Sequence, residues 1–210
     1  MILKLLKVVL TLFLFVCGLY ANPYILTHDG LIDQRVQEKI FEIGSEVKSK
    51  LNINLYVDIK ENNGIDPDLP RDQRKQLMKQ KDQQIIKDLQ KPYAVLVLAL
   101  DQKYVNILAS DDLKDKFDKD DILDSYVIPL LASKDKNSLF AKTSAASLNG
   151  YAQLADSIAL TRDIKLDSSI GSEGKTASTI WRVFMYTLVL AGILLYALIV
   201  LREKKFKNKQ

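Results

Sequence analysis

The sequence predicts an α/β domain, a three-layer α/β/α sandwich around a mixed central sheet, followed by one carboxy-terminal transmembrane helix. Three observations in the chain lead there. Val36, Ile40, Ile43, Val47 and Leu51 recur at helical steps, whereas Ile53, Leu55, Val57 and Ile59 alternate with other residues at the period of a strand. Tyr93 to Leu100 is an unbroken apolar run, the pattern of a strand buried on both faces. Far downstream, Val183 to Leu201 carries no charge over nineteen residues, enough as a helix to cross about 30 Å of hydrocarbon.

Taken from the amino terminus, Lys4 and Lys7 precede an uncharged stretch from Val8 to Ala21 that ends Gly18, Leu19, Tyr20, Ala21. A positive segment, an apolar segment and a small residue at the cut read as an export signal over residues 1–21. Cys17 is the single cysteine, and Leu14, Phe15 and Val16 lack the small residue that a lipidation peptidase requires before it. Cleavage after Ala21 leaves a domain with no disulfide and no thiolate zinc site.

Asp33 stands where an N-cap belongs for the first helix. The alternating strand covers 53–59, and Asn62, Asn63, Gly64, Pro67 and Pro70 then break the chain. Residues 71–90 are charged, with Leu77, Met78, Ile85, Ile86 and Leu89 on an imperfect apolar stripe, and read as a surface helix crossing one sheet face. Pro92 stops that helix and opens the buried strand. Asp101 and Gln102 turn the chain into an antiparallel partner at 104–108. Strand, crossover helix and strand make a right-handed βαβ unit with parallel strands. Helices are expected over 111–117, 120–132 and 138–160, closing a domain at 22–160.

Residues 161–179 are rich in Ser and Gly and read as a linker. The spanning helix is expected over 180–201, with Trp181, Phe184, Tyr186 and Tyr196 near its ends, and a basic tail over 202–210. That tail sets Arg202, Lys204, Lys205, Lys207 and Lys209 against Glu203 alone, so it is expected in the cytoplasm. The domain is then expected outside the cytoplasm, in the periplasm or its equivalent, held by a single pass through the cell membrane.

The whole chain has a net charge of +4, but eight of its thirty basic residues and one of its twenty-six acids lie in the two ends. Residues 22–181 are left at −3, which argues against a nucleic-acid partner. The densest polar feature is the set Asp111, Asp112, Asp115, Asp118, Asp120, Asp121 and Asp124. Oxygen ligands suit hard cations such as calcium or magnesium, and the candidate metal ligands are Asp118, Asp120 and Asp121, joined in space by Asp29. The spacing is not that of an EF-hand, and Lys114, Lys116 and Lys119 are interleaved, so helix caps and solvated charges are the competing reading. His28 is the single histidine, and no nucleophile elbow, Walker loop, dinucleotide fingerprint or zinc-protease motif accompanies it. Small residues from Thr143 to Ala152 suit close packing of a helix in the core.

The order of these elements resembles the TPM-domain family, also called thylakoid acid phosphatase-like. The resemblance runs over about 24–160 through an opening aspartate (Asp29 or Asp33), helix 34–51, strand 53–59, the hairpin 93–100 with 103–109, Asp118 with Asp120, and Ile122 through Pro129. At the family's usual Thr-Gly stand Leu51 and Asn52, and Lys91 and Pro92 replace its Asn-Gly. The resemblance implies export and tethering by a carboxy-terminal helix, and some members are linked to metal-dependent phosphatase activity. Two functions follow as expectations. One is a non-catalytic binding or assembly module for another envelope protein; the alternative is a divalent-cation-dependent acid phosphatase.

Overall fold

The computed structural model describes residues 22–168, together with Ile170 and Tyr186. Strand β1 (Ile25–Thr27) leads to helix α1 (Gln34–Leu51), strand β2 (Asn54–Lys60), helix α2 (Arg71–Ile86), and the hairpin of β3 (Tyr93–Ala99) with β4 (Tyr104–Ala109). Short helices α3 (Lys119–Ile122) and α4 (Ile128–Leu131) flank a π-helical turn, Leu123–Val127, and α5 (Leu139–Leu160) follows. The sheet is mixed, in the order β1-β2-β3-β4, with β1, β2 and β3 parallel and β4 antiparallel to β3.

Local chemistry explains the boundaries. Asp33 caps α1 as expected, its carboxylate accepting from the Arg35 N–H at 2.7 Å. At the other end Asn52 adopts φ 54° and donates its N–H to Lys48 O, a left-handed cap that Asn tolerates better than most residues. Gln102 in the hairpin turn is buried and donates to Ile65 O at 2.7 Å, tying the turn to the loop that follows β2.

Two apolar clusters form, one on each side of the sheet. Leu55, Val57, Ile59, Leu96 and Ile107 pack with Ile40, Ile43 and Val47 of α1 and Leu154 and Ile158 of α5. Tyr93, Val95 and Val97 form a smaller cluster with Tyr56, Leu108 and Ile85 and Ile86 of α2. The small residues of α5 allow close approach: a Cβ on Gly150 would lie 2.5 Å from Val127 and 3.0 Å from Leu96. Tyr151, fully buried, donates its hydroxyl to Leu55 O at 2.9 Å and so ties α5 to β2.

Three expectations change. Strand β1 was not foreseen, because three residues are too few to show a period. Residues 111–117 form turns rather than a helix; only Leu113 and Phe117 of that stretch pack against the core, too little apolar surface to hold a helix. Residues 161–168, expected as the start of the linker, dock on the domain instead. Leu166 is buried and Ile164 packs on the main cluster. Glu46 of α1 accepts from the N–H groups of Asp167 and Ser168, both at 2.8 Å, and from the Ser168 hydroxyl. Lys50 pairs with Glu46 at 2.6 Å and with Asp167 at 2.8 Å. Burial pushes the Glu46 carboxyl up, but Lys50, Ser168 and the two N–H groups outweigh it and hold it at about 2.

Among the described residues no helix is long and apolar enough to cross a membrane. The expected signal at 1–21, the spanning helix at 180–201 and the tail at 202–210 lie outside the described residues, except Tyr186.

Candidate functional site

The four aspartates expected as metal ligands are not assembled into a site. Asp29 follows β1 at φ 44°, with its carboxylate accepting from the Glu61 N–H at 3.0 Å. It therefore sits where β2 finishes. The segment carrying Asp118, Asp120 and Asp121 leaves the opposite end of the sheet, after Ala109, which pairs with Ala94 at the start of β3. Asp118 caps α3 through the Asp121 N–H at 3.0 Å, and Asp121 accepts from Ser125 Oγ at 2.9 Å. Asp120 lies exposed in the first turn of α3. Among the described residues no group of three or more His, Cys, Asp or Glu could hold a metal ion. Asp29 is held by the Glu61 N–H at the end of β2, whereas Asp118 and Asp121 serve a backbone N–H and a hydroxyl of their own turns. His28 does likewise, its Nδ1 accepting from the Gly30 N–H at 3.1 Å.

Polar chemistry is gathered instead between α2 and the sheet. Asp82 is 6% exposed, and one of its carboxylate oxygens accepts from Tyr104 Oη at 2.6 Å and from Asn106 Nδ2 at 2.7 Å. Burial raises its pKa, with the two hydrogen bonds opposing. Tyr104 is pushed well above the ordinary phenol range by burial and by the adjacent Asp82. Asp58 of β2, 2% exposed, accepts from Thr27 Oγ1 at 2.6 Å and lies 3.6 Å from Lys60 Nζ. Both carboxylates line a cavity of about 200 Å³ between Met78 and Ile85 of α2 and the sheet. Asp82 was legible in part: it falls four residues after Met78 and four before Ile86, on the face α2 buries.

A second concavity of about 480 Å³ runs beside β4, the outer strand of the sheet. Its floor is the stretch from Asn106 to Ser110. Ile86 and Gln83 of α2 form one wall, Phe117 the other, and Lys91, Lys114 and Lys119 stand around it. Asp111, the acid among these lining residues, pairs with Lys114 at 2.5 Å, which leaves Lys91 and Lys119 as the net charge. The volume is that of a ligand-sized site, with apolar surface and a few placed polar groups.

No family model matches the chain, and no curated protein matches it. Among solved structures it is similar to the N-terminal domain of the cg2496 protein from Corynebacterium glutamicum, determined by solution NMR. The identity is 17%, over 74% of this chain and 87% of that one, with a TM-score of 0.42. That likeness is too distant to carry fold or function across.

Proposed function

We propose that the chain is a membrane-tethered, extracytoplasmic α/β/α domain of TPM type that serves as a non-catalytic binding or assembly module for another envelope protein. The observation that carries this reading is the groove beside β4, a sheet edge with no further strand among the described residues, with apolar surface and a cationic margin on a domain of otherwise negative balance. The family assignment draws on the order of elements along the chain. The export signal at 1–21, the spanning helix at 180–201 and the basic tail at 202–210 supply the tether and its orientation.

Capture from membranes tests it. Full-length chain, solubilised with its native membrane and immobilised, is expected to retain an envelope protein, and a chain with Lys91 and Lys119 both changed to Gln is expected to retain less. Hydrolysis of a phosphate monoester by the same preparation, dependent on calcium or magnesium and abolished by Asp120→Ala, would replace this reading with the phosphatase alternative. Orientation is checked separately: a reporter active only outside the cytoplasm is expected to work when fused after Asp167 and to fail after Gln210.

A further inference from the structure

The groove has a floor of backbone. Ser110 donates its N–H to Tyr93 O at 3.0 Å and accepts the Tyr93 N–H on its Oγ at 3.1 Å, so just beyond the ladder Tyr93 and Ser110 stand in the position of a hydrogen-bonded pair. Such pairs alternate, which makes Val95 with Leu108 and Val97 with Asn106 the next two. Val105, Ile107 and Ala109 are therefore the residues whose N–H and C=O point away from β3. Their side chains face the main apolar cluster. Ile107 is only 4% exposed yet borders the groove, as does Ala109; what these positions present there is main chain.

From this we infer that β4 accepts an extended, acidic segment of a partner polypeptide as a fifth strand, the partner's carboxylates facing Lys91 and Lys119. The inference rests on the binding-module reading and names the chemistry of its partner. Main-chain hydrogen bonds along an open edge supply affinity without sequence, and the flanking side chains supply selectivity. Charge decides the occupant. A second copy of this chain paired edge to edge about a two-fold axis would set one lysine cluster beside its equal, whereas an acidic strand neutralises it. The apolar surface of Ile86 and Leu108, on the α2 side of the sheet, accommodates alternate apolar residues of the incoming strand.

The test uses the full chain in detergent micelles and a fluorescent peptide that alternates Val and Glu. Binding is expected, weakening as salt is raised, with slower amide exchange at Val105, Ile107 and Ala109. A peptide alternating Val and Lys is expected not to bind. Ala109→Pro removes an outward N–H and no ladder bond, so the fold is expected to melt as before while peptide affinity falls about two- to tenfold, the worth of one hydrogen bond. Should that variant unfold, the Lys91→Gln, Lys119→Gln double variant carries the test through lost affinity at unchanged melting temperature. Equal binding of both peptides, or protection elsewhere than β4, overturns the inference. So does a dimer of the full chain that Ala109→Pro dissolves. If a partner is captured from membranes equally well by the Ala109→Pro chain, the binding module stands and the strand-addition inference falls; if nothing is captured and no peptide binds, both fall.

Discussion

On one side of the sheet, α1 and α5 cover Leu55, Leu96 and Ile107 with a continuous apolar cluster, and Tyr151 spends its one hydroxyl on a β2 carbonyl. On the other, α2 lies over Tyr56, Val95 and Val97 but also over Asp58 and Asp82, with a cavity of about 200 Å³ between helix and sheet. The first face is close-packed. The second encloses two carboxylates that desolvation disfavours unless hydrogen bonds return the loss. The contrast teaches that stability is concentrated on the α1 and α5 side, and that α2 is the helix whose removal from the sheet costs least.

The largest effect that could break this contrast is expected at Leu96, fully buried on β3, which pairs with a strand on each side. Leu96→Ala is expected to lower the unfolding free energy by about 2 to 5 kcal/mol in denaturant titration; a loss below about 1 kcal/mol would mean the main cluster is not close-packed. Next comes Val97→Ala, one residue along on the other face, which borders the cavity. Two methyl groups at about 0.8 kcal/mol each set its cost near 1.5 kcal/mol, and equality with Leu96→Ala would erase the difference between faces. Tyr151→Phe, with a single hydrogen bond removed, is expected to cost about 1 kcal/mol.

The smallest effect is the most specific. Asp82→Asn keeps an oxygen to accept from Tyr104 and Asn106 while deleting the buried charge, so stability near neutral pH is expected to hold or rise. The sign of the pH dependence follows from the raised carboxyl. In the wild-type chain the penalty is full above the folded pKa and is relieved as pH falls through it toward the ordinary carboxylate value. The chain should therefore gain stability over that interval, relative to Asp82→Asn, and a parallel profile for the two would show that Asp82 is not desolvated.

Much of the fold was readable because the elements carry long periods. Helix α1 shows its core face in five residues and its cap in Asp33, and β3 shows burial on both faces through an apolar run that Pro92 opens. Legibility failed where contacts are few or distant in sequence. Strand β1 owes its existence to pairing with β2 some thirty residues on, through Ile25 with Val57 and Thr27 with Asp58. The carboxylates told a similar story. Aspartates crowded between 111 and 124 drew notice by density, yet Asp111, Asp118 and Asp121 bond to groups three or four residues along the chain, whereas Asp58 and Asp82, twenty-four positions apart, border one cavity. Asp58 looked like one more polar member of an alternating strand, and only a helix laid across that face makes it buried. The groove beside β4 is made of backbone and of Lys91, Lys114 and Lys119 from three separate turns of chain, and backbone edges leave no mark in residue types.

The carboxylate of Glu46 also decides which bonds a pull applied beyond Ser168 would meet first. It holds Asp167 and Ser168 against α1, with Leu166 and Ile164 seated behind them. Tension drawn along the chain from beyond Ser168 is met first by these bonds. It must strip residues 168 back to 161 from the surface of α1 before it reaches the end of α5, and the sheet lies further still from the point of pull. Glu46 thus acts as a mechanical cleat. Its stabilisation is full above the ordinary value of 4.5 and is lost as pH falls from there through about 2, so mild acid leaves the cleat closed.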